Sequence, residues 1–102
     1  MFDNQLIIAG RLTQEPVRKT SPAGIPHCYF VVEHSSQQYE ADMPRKVWCR
    51  IKVIASGQAI QQQTQILQSG HLVRVTGFIQ RQETANGLAQ LVLHAQMIEK
   101  LD

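Results

Sequence analysis

Only two cysteines, Cys28 and Cys49, occur in the 102-residue sequence, and they lie far apart. With His27, His34, His71 and His94 they make no CxxC or HxxxH-type spacing. A disulfide framework and a metal site are therefore both unexpected, no cofactor is implied, and the cysteines read as buried thiols. No apolar run approaches the roughly 20 residues that a membrane helix needs. The opening MFDNQLIIAG has no basic segment followed by an apolar one, so it does not read as a signal peptide. A cytoplasmic protein with no membrane partner is expected. Acidic residues are scattered, and there is no glycine-rich phosphate loop, nucleophile elbow or HExxH. His27 follows a proline and His94 lies inside an apolar run, each without a catalytic neighbour in sequence. These absences argue against an enzyme.

What is present fits one domain, residues 1–102. Hydrophobic content is 43%, enough for a packed core. The net charge of +2 is small, but its distribution is uneven. Residues 1–55 carry seven basic and five acidic residues, whereas 56–102 carry three of each, so the surplus lies wholly in the first half.

Period-two alternation predicts five strands. The first, Gln5 to Thr13, places Leu6, Ile8 and Leu12 on one face and carries Gly10 within it, a candidate bend. The basic, turn-rich loop that follows holds Arg18, Lys19, Pro16, Pro22, Gly24 and Pro26, which excludes helix and central strand. The second strand runs from His27 to His34. Ser35 to Pro44 reads as a long polar loop. The third strand, Arg45 to Ile54, points Val47, Cys49, Ile51 and Val53 one way and Lys46, Trp48, Arg50 and Lys52 the other. Ser56 to Ser69 has roughly helical spacing at Ala59, Ile60, Thr64 and Leu67 and reads as a short helix closed by Gly70, or as an irregular connection. The fourth strand, His71 to Gln82, contains Gly77, a second candidate bend. Asn86-Gly87 then marks a hairpin into the fifth strand, Leu88 to Ile98. Five strands with two glycine bends and a short element between the third and fourth suggest an all-β, Greek-key OB-fold barrel; an SH3-like barrel is the alternative.

The candidate functional feature is the outer row of the third strand. A slip of one residue would bury three charges, so Trp48 must share the outer face with Lys46, Arg50 and Lys52. An exposed indole among cations suits single-stranded nucleic acid, the ring stacking on a base and the cations holding phosphates. The bland alternative is an interface tryptophan beside solvated charges. Arg45, Arg18 and Lys19 extend the row, and Arg81 is the one basic residue of the last hairpin from Gln80 to Gln90. Tyr29 and Tyr39 are secondary stacking candidates. Apolar residues on both faces of three strands (Ile7 with Ile8, Leu72 with Val73, Val92 with Leu93) point to a homodimer.

The runs NQLIIAGRLTQEPVRKTSPAGIPHCYFVVEH, VWCRIKVIASG, VTGFI and NGLAQLVLHAQMIE closely resemble the primosomal replication protein N (PriB) family, small relatives of the bacterial single-stranded DNA-binding protein SSB. The match spans essentially the whole chain, and the SPxGIPHC and LVLHA runs are specific to it. SSB itself adds a long tail with an acidic tip, whereas this sequence stops at Asp102. The resemblance implies an OB-fold homodimer that binds single-stranded DNA, without catalysis, in the restart of stalled replication forks. It implies bridging of PriA helicase, DNA and DnaT in the primosome, with SSB as a further candidate partner. Lys19, Arg45 and Trp48 match DNA-contacting positions of the family. Ser35 replaces a frequent arginine, Met43 a phenylalanine, and Glu83, Ala85 and Gln90 replace lysines of the last hairpin; these departures bear on DNA affinity rather than on fold. Two other functions remain open at this point. One is a primosomal protein-interaction module with weak DNA binding, favoured by the missing lysines. The other is a small RNA-binding OB protein, since stacking faces alone do not separate RNA from DNA.

Overall fold

The computed structural model describes residues 1–102. In chain order the elements are β1 (Leu6–Leu12), β2 (Val17–Thr20), β3 (Pro26–Glu40), β4 (Met43–Ser56), α1 (Gln58–Thr64), β5 (Leu72–Glu83) and β6 (Ala89–Lys100). The order β1-β5-β6-β4-β3 closes through a β1–β3 pairing, and β2 is added to the outer edge of β3. This is a five-stranded OB barrel, in agreement with the expected fold; β4 and β6 form its one parallel contact.

Closure depends on the bend in β1. Residues Leu6 to Arg11 pair with β5, while Arg11 and Leu12 pair with β3. A Cβ at Gly10 would fall on the Glu33 carbonyl oxygen, so only glycine lets the two strands cross this closely. His34 pins the crossing: its Nδ1 lies 2.7 Å from the Ala9 carbonyl and its Nε2 2.7 Å from Ser36 Oγ. A carbonyl can only accept, so Nδ1 carries the proton. The second bend is a bulge between Thr76 and Gly77, where a Cβ on Gly77 would strike the His94 carbonyl oxygen.

The inward residues Leu12, Phe30, Val32, Val53, Val73, Val75 and Leu93 fill the barrel. Helix α1 closes one end with Ile60, and Leu67 follows from the turn beyond it. Buried Gln61 donates to the Ala55 and Gly57 carbonyls at 3.0 Å each, satisfying backbone at the helix entry. The helix ends at Thr64, so Gly70 does not close it; Gly70 serves a later turn with φ of 91°.

Two expectations need correction. The predicted loop from Ser35 to Pro44 is instead a continuation of both flanking strands, joined by a two-residue turn at Ala41 and Asp42 with φ of 53° and 62°. Positive φ at both turn residues matches the right-handed twist of a tight hairpin. β3 meets β1 only at Val32 and Glu33, and β4 meets β6 only at Lys52 to Ile54. From His34 and Cys49 outward the two strands pair with each other alone and project as a ribbon, and the molecule measures 50 × 34 × 31 Å. Ribbon faces bathed in water need no apolar alternation, which is why the strand signal fades there. Likewise, part of the basic loop forms β2, a short edge strand whose four residues are all exposed.

Candidate nucleic-acid interface

The register of β4 turns Val53 fully inward and leaves Val47, Cys49 and Ile51 half-buried. Lys46, Trp48 and Arg50 are exposed on the opposite face and Lys52 is half-buried; Trp48 retains 61% of its surface. Cross-strand pairs Ser35↔Trp48, Gln37↔Lys46 and Tyr39↔Pro44 add β3 side chains to that face, and Glu33↔Arg50, Val31↔Lys52 and Tyr29↔Ile54 continue it toward the barrel. Trp48 thus stands where the ribbon leaves the barrel, with cations on both sides along one strand.

The cations differ in what already holds them. Arg50 donates through Nε to Glu33 Oε2 at 2.8 Å, and its guanidinium carbon lies 5.4 Å from the Trp48 ring centre. Lys46 and Lys52 form no ion pair. Lys19 is also unpaired; it and Lys52 place their ammonium groups 5.8 and 5.4 Å from the centre of the Tyr29 ring. Attraction between ammonium and ring face is effective at such distances.

Three predicted residues are placed otherwise. Arg45 lies on the opposite face of the ribbon, opposite Gln38, with its Nε 3.1 Å from Glu40 Oε1. Arg18 turns toward the closed end of the barrel, where its guanidinium donates to Thr64 Oγ1 at 2.8 Å and to the Thr64 carbonyl at 2.7 Å. It therefore caps the C-terminal end of α1, whose last carbonyls have no helical partner. Arg81 donates to Glu83 at 2.8 Å in the β5–β6 hairpin. Sequence reasoning gives Tyr29 a minor part, whereas the fold sets the ammonium groups of two free lysines over its ring. The signal available in sequence was parity: Tyr29 pairs with Ile54 and so shares the outer face with Lys52.

Cys28 is fully buried, and burial pushes its thiol up from the usual value, against the opposing charge of Arg18 and a hydrogen bond with Thr64. Both cysteines are free, and no group of three or more metal-ligating side chains forms. No helix is long and apolar enough to cross a membrane.

Comparison with known proteins agrees with this architecture. The model of a family described as another single-strand binding protein family matches residues 4–97. The replication restart protein PriB of Photorhabdus laumondii is 51% identical over 102 residues, covering 100% of this chain and 97% of the relative. The PriB of Proteus mirabilis is 49% identical with the same coverage. Among solved structures, PriB from Ralstonia solanacearum superposes with a TM-score of 0.78 at 23% identity, over 98% of this chain and 100% of the other. The SSB of Plasmodium falciparum, solved in complex with single-stranded DNA, gives 0.83 at 15% identity over 100% and 97%. At such identities the structures speak to fold alone. The full-length sequence matches and the matching family model go further: this chain belongs to the PriB replication restart proteins, within the single-strand binding family.

Proposed function

We propose that this protein is a single-stranded-DNA-binding accessory protein of replication restart, cytoplasmic and non-enzymatic, that acts as a homodimer and bridges DNA to PriA helicase and DnaT. The observation that carries the DNA-binding part is the outward row of Lys46, Trp48, Arg50 and Lys52, with a 61% exposed indole at the root of the ribbon. Bases stack on the indole while Lys46 and Lys52, free of carboxylates, take phosphates. Titration with oligothymidylate should quench the fluorescence of this sole tryptophan, more strongly at low salt. Absence of both quenching and binding would overturn the reading. Titration with purified PriA helicase and DnaT, with and without DNA, tests the bridging.

The homodimer is supported by the outer face of the sheet. Ile7, Thr76 and Met97 form one register row across β1, β5 and β6, and Ile7 and Met97 remain 58% and 46% exposed. Val92, expected to contribute to this surface, does not: it is fully buried within its own chain, flanked in its row by the long side chains of Lys52 and Gln80. A monomer mass by light scattering at micromolar concentration would exclude the dimer.

A second reading, a protein-interaction module with weak DNA contact, is favoured by the tip of the β5–β6 hairpin, Gln80 to Gln90, whose single cation Arg81 is paired with Glu83. Tight PriA binding with no measurable affinity for single strands would select it.

A further inference from the structure

Tyr29, Lys19 and Lys52 meet on three different strands. β2 supplies Lys19, β3 supplies Tyr29, and β4 supplies Lys52. Lys19 and Lys52 place ammonium groups within 6 Å of the Tyr29 ring centre, at 5.8 and 5.4 Å. Neither lysine has a carboxylate partner. The three form one wall of a groove of about 560 Å³ whose other wall is the β5–β6 hairpin, with Gln82, Thr84 and Gln90 facing it. That volume lies within the usual range for a bound small molecule. Glu83 also borders the groove, but its carboxylate is held by Arg81.

The groove is continuous with the face that carries Trp48. Tyr29 and Ser35, the residue opposite Trp48, are on the same face of β3, positions 29 and 35. At roughly 3.3 Å per residue the Tyr29 and Trp48 rings are about 20 Å apart along the ribbon. Nucleotides stacked at about 3.4 Å would span that distance in about six steps. A single strand lying on Trp48 and running toward the barrel thus reaches Tyr29.

We propose that Tyr29, Lys19 and Lys52 form a second nucleotide subsite, which rests on the single-strand-binding reading above and extends it. One base of the bound strand stacks on the Tyr29 ring, displacing onto its phosphates the two ammonium groups that lie over that ring in the free protein, and the amides of Gln82 and Gln90 face the base edge. The hairpin opposite therefore contributes neutral hydrogen-bonding groups, while the charge comes from β2 and β4.

The test uses oligothymidylates of about three and about ten nucleotides, the shorter too short to occupy both rings, with Trp48 quenching as the reporter. Tyr29→Phe keeps the ring and should bind both lengths as the unaltered protein does. Tyr29→Leu keeps an apolar strand residue without a stacking face. It should lose about five- to hundredfold in affinity for the longer strand and nothing for the shorter, with the quench at saturation preserved. Lys19→Gln with Lys52→Gln provides a second measure that spares the ring: the log–log salt slope for the longer strand should fall by about 1.4. Equal binding of Tyr29→Leu and unaltered protein at the longer length, or equal losses at both lengths, would overturn the subsite while leaving the Trp48 site standing. Failure of both lengths to bind and to quench the unaltered protein would remove the single-strand reading and the subsite together.

Discussion

Arg50 links Trp48 to Glu33: the guanidinium lies 5.4 Å from the indole ring centre, while its Nε is 2.8 Å from the Glu33 carboxylate on the neighbouring strand. The arginine that should meet a phosphate beside the indole is thus already neutralised. Glu33→Gln keeps the hydrogen-bonding shape and removes the charge. Exposed ion pairs are worth about 0.2–1 kcal/mol, so single-strand affinity should rise by about 1.5- to 5-fold, and the salt slope should steepen by about 0.7 as Arg50 becomes free for phosphate. Unchanged affinity and slope would show that Arg50 takes no part.

Trp48 itself stands at the root of a two-stranded ribbon, so its removal should leave the barrel core untouched. Base–aromatic stacking is worth about 1–3 kcal/mol, and Trp48→Ala should weaken binding roughly five- to hundredfold. Thermal unfolding should be nearly unchanged. Unaltered affinity would move the site away from the ribbon.

The placement of Trp48 was legible in the sequence because β4 crosses the barrel at Val53 and Ile51, and burying those residues fixes the parity of the entire strand. The glycine bends were legible for a related reason: Gly10 and Gly77 each interrupt an apolar run where another backbone must pass. The ribbon tip was not. From Gln37 to Arg45 every residue is exposed, so neither face had to be apolar and the strands resembled a loop. Arg18 and Lys19 are adjacent and equally basic, yet one turns to the end of α1 and the other to Tyr29. Strand parity separates them, and β2 shows no alternation from which to read it. Val92 misled for the opposite reason, since an apolar residue on an outward register can still be covered by its own chain.

Arg18 should prove a stability residue. Its guanidinium satisfies the hydroxyl and carbonyl of Thr64, which is fully buried. Losing hydrogen bonds that involve a charged group leaves those oxygens poorly satisfied, and Arg18→Met should destabilise the fold by about 1–3 kcal/mol. Denaturant unfolding reads this directly. Single-strand affinity measured well below the transition should hold. A loss of affinity with stability intact would instead place Arg18 in the interface.

The β5–β6 hairpin lies across the groove from Lys19 and Lys52, and Glu83, Ala85 and Gln90 line it. Phosphate neutralisation dominates affinity for nucleic acid, each contact adding about 0.7 to the salt slope for single strands. A triple substitution, Glu83→Lys with Ala85→Lys and Gln90→Lys, adds three cations and also releases Arg81 from its carboxylate. Binding should tighten and the slope steepen by up to about 2–3. The opposite construction, Lys46→Ala with Arg50→Ala and Lys52→Ala, removes the outward charges of β4 without touching the core, so binding should nearly vanish while the unfolding transition shifts little. These two proteins divide the interface between its two walls. If the β4 triple variant bound normally and the lysine-bearing hairpin changed nothing, neither wall would contact the strand, and the row on β4 would be a solvated face.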